Sequence, residues 1–235
     1  MVRSITDTQA SAKARLRAAI AFLALATACI FAPVAAAAAP ASVGSPGFSG
    51  FLAQGLRVVL PGGNEQILFL LAIFLASPKT GALITQALAW IAGHILTLWL
   101  AGLGVLNVPI ETIVWLVPLT IVLVAAENLL FGRMTKYKAG LVFVYGLIHG
   151  MSFAATYHAI PSRGDTGIGS LIGFNLGLEV AHAAVIGLAF AASLYFRGVL
   201  KQASRMDLYR PMIVVPVSLG ILVTGAIWTI RAYSG

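Results

Sequence analysis

Gly173-Phe174-Asn175-Leu176-Gly177-Leu178-Glu179-Val180-Ala181-His182 lies inside an apolar run from Ile168 to Phe196, long enough to cross a bilayer. Asn175, Glu179 and His182 are spaced i, i+4, i+7, so a helix places all three on one face. Gly177 and Ala181 form a small-xxx-small pair that lets a second helix approach closely. An ionisable group in mid-span is expensive unless it is paired or wetted, which marks this face as a candidate functional site. The plainer reading of the same face is polar glue between helices, since interhelical hydrogen bonds are common in membranes.

Outward from this run the chain repeats the pattern. Five long apolar segments are expected at approximately Ala82–Leu103, Val108–Phe131, Ala139–Tyr157, Ile168–Phe196 and Met212–Ile230, after a shorter one at Ile67–Ala76. Of the 235 residues, 60% are hydrophobic and 9% charged, with a mean hydropathy of +0.96. The expected fold is all-α, a polytopic transmembrane bundle of six spans after a signal peptide. No polar connection is long enough to fold as a soluble domain. The net charge of +8 does not imply nucleic acid, because the basic residues sit in short loops and at the N-terminus. The only cysteine, Cys29, lies in the leader, so the rest of the chain offers neither a disulfide nor a thiolate metal site.

The N-terminus reads as that leader. Arg3, Lys13, Arg15 and Arg17 precede an apolar run from Ala18 to Pro33 and an alanine-rich stretch, with cleavage expected near Ala38 or Ala41. An uncleaved anchor helix is the alternative. Residues 42–62 form a linker and an interfacial or broken helix, because Pro61-Gly62-Gly63-Asn64 interrupts the apolar pattern. Residues 63–235 form the six-helix domain. Lys79, Arg133, Lys136, Lys138, Arg197, Lys201, Arg205 and Arg210 fall on one side of the expected topology, and Arg57, Arg163 and Arg231 on the other. Eight against three places the mature N-terminus and the C-terminus outside, the periplasmic face of a bacterial inner membrane.

Polar residues recur inside these spans. His94 and Thr97 lie on the second, Glu127 and Asn128 on the third, His149 on the fourth, and Asn175, Glu179 and His182 on the fifth. His94, His149, Glu179 and His182 fall at similar depth. Neutral imidazoles with a carboxylate suit divalent transition metals, and Thr97, Glu127 or Asn175 could support such ligands from behind. Each residue alone also reads as packing or helix contact, and Glu127 as a partner of Arg133 or Lys136. His158, beside Pro161, reads as a loop residue. No nucleophile elbow, phosphate loop or dinucleotide fingerprint is present, so no catalytic residue and no enzyme activity are expected.

Together Gly93-His94-x-x-Thr97, Glu127-Asn128-Leu129, Gly146-Leu147-Ile148-His149-Gly150-x-x-Phe153-Ala154 and Gly173-Phe174-Asn175-Leu176-Gly177-x-Glu179 resemble the HupE/UreJ family over roughly Phe51 to Ala192. The resemblance implies a bacterial membrane protein of metal homeostasis or nickel permeation. The family's His-x5-Asp-His motif is missing, with Val59, Glu65 and Gln66 at its positions, whereas His182 stands where the family more often has glutamine. The resulting expectation is a protein that binds or conducts a divalent transition-metal ion, nickel by resemblance. His94, His149, Glu179 and His182 are its ligands, Glu65 a periplasmic entry carboxylate and Glu127 a cytoplasmic-side exit or proton-coupling group, with Thr97, Asn128 and Asn175 as supporting or pathway residues. The expected partners are the lipid bilayer and the ion, with a membrane-protein partner or a second copy also compatible. A non-transporting accessory subunit or assembly factor is the main alternative, and an intramembrane metal-dependent hydrolase a weaker one.

Overall fold

The computed structural model describes residues 47–75, 80–107, 109–131, 137–160 and 167–235. All regular structure among them is helical: α1 (Phe48–Val59), α2 (Asn64–Leu75), α3 (Thr80–Gly102), α4 (Ile110–Leu130), α5 (Lys138–Ala159), α6 (Ile168–Gln202) and α7 (Val215–Ser234). A 3-10 turn (Met206–Leu208) and a π-helical turn (Arg210–Val214) lead into α7. Five helical stretches are long and apolar enough to cross a membrane, and α1 with α2, bent by 62°, makes a sixth candidate. The expected signal peptide (residues 1–41) and the basic residues Lys79, Arg133, Lys136 and Arg163 lie outside the described residues.

The bend between α1 and α2 follows from Pro61-Gly62-Gly63. Proline supplies no amide hydrogen, and Gly63 donates back to the Val59 carbonyl at 3.0 Å. A Cβ on Gly63 would stand 2.6 Å from the Val58 oxygen and 2.7 Å from Val59 Cα, so the turn admits glycine alone. The segment expected as an interfacial helix does not lie free. It packs along α6, where Phe51 and Val59 are buried.

The helices pair as α3 with α5, α1 with α6, and α4 with α7. Glycine sets the first two contacts. On α5, a Cβ at Gly146 would stand 3.1 Å from the His94 amide nitrogen and one at Gly150 2.8 Å from His94 Cα. On α6, Gly173 and Gly177 lie against the α1 backbone, with a Gly173 Cβ 2.6 Å from the Phe48 oxygen. Gly177 makes the expected close approach on α6, and Gly173, one turn earlier, joins it. Apolar side chains such as Leu88, Val144, Val180, Leu188 and Val223 cover the exterior, as a surface facing acyl chains requires.

The α6 helix has 35 residues, about 52 Å at 1.5 Å each, against a hydrocarbon core of about 30 Å. Its far end carries Arg197 and Lys201 and packs Phe196 and Leu200 against Tyr209, Ile213 and Val214. Two expectations are corrected here. Lys138 is no loop charge but the first residue of α5, only 2% exposed, because its ammonium is drawn inward to Glu127 and Asn128. His158 sits in the last turn of α5, not in a loop, and its Nε2 donates to the Ala101 carbonyl at 3.0 Å.

Candidate metal centre

Trp90, His94 and Thr97 occupy successive turns on one face of α3. His94 is fully buried. Its Nδ1 lies 3.1 Å from the Trp90 carbonyl, which only accepts, so Nδ1 carries a hydrogen. Its Nε2 lies 2.7 Å from Glu179 Oε1. A carboxylate and an imidazole lone pair repel each other, so that short contact requires one proton between them.

The same carboxylate faces His182 one turn on, with Oε2 3.9 Å from His182 Nδ1. The donor atoms of His94, Glu179 and His182 all lie within 4.8 Å of one another. Neither nitrogen of the fully buried His182 has a hydrogen-bond partner among the described residues. Buried polar atoms are seldom left unpaired. An imidazole unpaired beside a carboxylate and a second imidazole therefore fits a ligand-binding role.

His149 is brought to the same core but is not in that set. The Thr120 hydroxyl donates to the Val117 carbonyl at 2.7 Å, so its oxygen accepts from His149 Nε2 at 2.9 Å. This fixes the tautomer and leaves His149 Nδ1 with its lone pair, buried and without a hydrogen-bond partner among the described residues. The three imidazoles surround Trp90. Its ring centre lies 4.4 Å from that of His94, 4.7 Å from His182 and 6.0 Å from His149. Phe69 and Phe153 complete the wall, at 4.6 Å from His149 and 5.5 Å from His182. Imidazole nitrogens and one carboxylate in an apolar enclosure suit borderline ions such as nickel, cobalt and zinc, and offer little to magnesium, which keeps its waters.

The other sequence-predicted residues play different parts. Thr97 Oγ1 shares its hydrogen between the Leu147 carbonyl at 2.7 Å and the Gly93 carbonyl at 3.2 Å, which ties α3 to α5 one turn from His94. Asn175 lies one turn before Glu179, and its buried Oδ1 has no hydrogen-bond partner among the described residues. Glu65 is half-buried at the start of α2, and no ion pair reaches it among the described residues. Glu127 and Asn128 belong to a separate cluster at the end of α4. Sequence reasoning missed Trp90 and Thr120. Trp90 had a usable signal, lying four residues before His94 on the same helical face.

A protein-family model described as HupE / UreJ protein matches residues 36–232 of this chain. No curated protein and no solved structure matches it.

Proposed function

This chain belongs to the HupE/UreJ family, and from that premise we propose that it binds a divalent transition-metal ion inside the membrane and passes it across. The observation that carries this reading is the convergence of His94, Glu179 and His182 donor atoms within 4.8 Å. In this proposal the ion takes the place of the proton held between His94 Nε2 and Glu179 Oε1, while His182 turns a free nitrogen to it. His149 receives the ion next through its free Nδ1. Nickel is the ion that the family favours. Cobalt and zinc share its donor chemistry.

The same reading places the protein in a bacterial inner membrane with both mature termini on the periplasmic side. Support comes from the gathering of Arg197, Lys201, Arg205 and Arg210 at the end of the bundle where α4 stops and α5 starts. The test is metal content of the purified protein and nickel or cobalt uptake in cells, for wild type against Glu179→Gln and His149→Ala. Loss of both signals in the Glu179 variant is expected. Unchanged binding and uptake in both variants would overturn the proposal.

One observation favours a second reading. Where the family's first motif begins, this chain has Val59, buried in the apolar core, so that position offers no metal ligand. An accessory subunit that keeps the fold without transport would show stoichiometric partners on purification and no bound metal.

A further inference from the structure

A second polar cluster lies at the basic end of the bundle. Lys138 Nζ donates to Asn128 Oδ1 at 3.1 Å and lies 3.7 Å from Glu127 Oε2. That carboxylate oxygen is buried and accepts no hydrogen bond among the described residues. Asn128 Nδ2 donates to the Ala72 carbonyl of α2 at 2.7 Å, so its Oδ1 is turned toward Lys138. Arg210 Nη2 closes the end of α4, donating to the Leu129 carbonyl at 2.9 Å and the Asn128 carbonyl at 3.4 Å.

The cluster is joined to the metal centre by one seam. Lys138, Val142, Tyr145, His149 and Phe153 form a buried stripe along α5. Two polar rungs cross from it to α4: Thr120 to His149 in mid-membrane, and Asn128 to Lys138 at the end. The rungs are eleven residues apart on α5, about 16 Å along its axis. A cation leaving the centre along this seam meets an oxygen-donor pair that an ammonium already fills. Burying Lys138 there is tolerable only because Glu127 and Asn128 satisfy it.

We propose that Glu127 and Asn128 form a second cation site at the basic end of the α4–α5 seam, which Lys138 occupies as a tethered counter-ion that a departing divalent metal ion must displace. The inference rests on the transport reading for its cargo, but not for its geometry. An ammonium on a flexible four-carbon stem can swing aside and return, whereas a fixed guanidinium fork holds its partners more rigidly.

The test uses the full chain with Cys29→Ser, which removes the only native thiol. Ala125→Cys places a reporter at a fully buried position one turn deeper than Asn128. In inverted membrane vesicles, a membrane-impermeant maleimide should label it slowly when Lys138 is present. Lys138→Met should speed labelling on the order of ten-fold or more, as expected when a minor open state becomes dominant. Lys138→Arg should stay closed. Because Lys138→Met leaves Glu127 buried and unpaired, the paired variant Glu127→Gln, Lys138→Met is read as well, and should also open. Labelling that is equally slow in the Met variant, the paired variant and wild type would overturn the proposal. Cobalt flux into proteoliposomes separates the two readings. Flux without faster labelling sinks the tethered counter-ion alone; faster labelling in a protein that neither binds nor moves cobalt sinks the transport reading alone.

Discussion

The two polar clusters of this bundle are built from similar chemistry and treat it in opposite ways. At the basic end, Asn128, Lys138 and Arg210 donate to helix-end carbonyls and to one another, and the result ties the ends of α2 and α4 to the start of α5. In mid-membrane, His182 has no hydrogen bond at either nitrogen and His149 none at Nδ1 among the described residues, although all three imidazoles are fully buried. At the basic end the donors Asn128, Lys138 and Arg210 each find a protein acceptor, although Glu127 Oε2 and Arg210 Nε are buried without a hydrogen bond among the described residues. Groups left unsatisfied at the same depth of burial carry a cost that a ligand can repay. The contrast separates a cluster that a side chain of the protein already fills from one whose imidazoles face no protein partner among the described residues.

The harshest way to break the contrast is to destroy the seam that builds the centre. Gly150→Leu would drive a side chain into His94 Cα, 2.8 Å from where its Cβ must stand. We expect loss of monodisperse protein on size exclusion, the outcome of severe overpacking. Glu179→Gln comes next. It removes the charge facing His94 and His182 but keeps the shape, so the protein should purify normally. Its metal affinity, by titration calorimetry, should fall by more than the roughly 10–100-fold typical of losing a supporting partner behind a ligand.

Acidification sharpens the comparison, because only the centre should respond through its ligands. Metal binding needs lone pairs on the imidazoles, so protons compete with the ion. Because the ion must also displace the proton between His94 Nε2 and Glu179 Oε1, affinity should weaken as the solution is acidified. Binding should release protons, which calorimetry in buffers of different ionisation enthalpy will count. Asn128→Leu tests the other side. It leaves Lys138 and the Ala72 carbonyl short of a partner, which should lower stability by about 1–3 kcal/mol in thermal unfolding, with the affinity of the mid-membrane centre unchanged. The smallest effect is expected from Thr120→Val. It frees His149 to change tautomer and should weaken metal retention by no more than about ten-fold, with a Tm close to that of wild type.

Much of this was legible in the sequence, for a physical reason. Long apolar runs have few alternatives to a membrane helix, so the all-helical bundle followed from hydropathy. The spacing of Glu179 and His182 fixed a shared face before any fold was known. Lys138 was misread because a lysine beside Arg133 and Lys136 carries the same charge signal whether it faces water or turns inward. Its capture by Glu127 and Asn128 is a tertiary event with no local trace. Glycine spacing announced close helix contacts but not their partners, so the pairing of α1 with α6 was out of reach. Trp90 was passed over because an aromatic residue in an apolar helix normally only fills space.

The placement of Trp90 has one more consequence. Its indole is in van der Waals reach of two of the three imidazoles, so its emission is exposed to whatever occupies them. Paramagnetic nickel or cobalt at that distance quenches indole fluorescence strongly, while diamagnetic zinc does not. With Trp99, Trp115 and Trp228 replaced by phenylalanine, the chain would carry its own optical gauge of occupancy, able to report arrival and departure of cargo in real time without any attached dye.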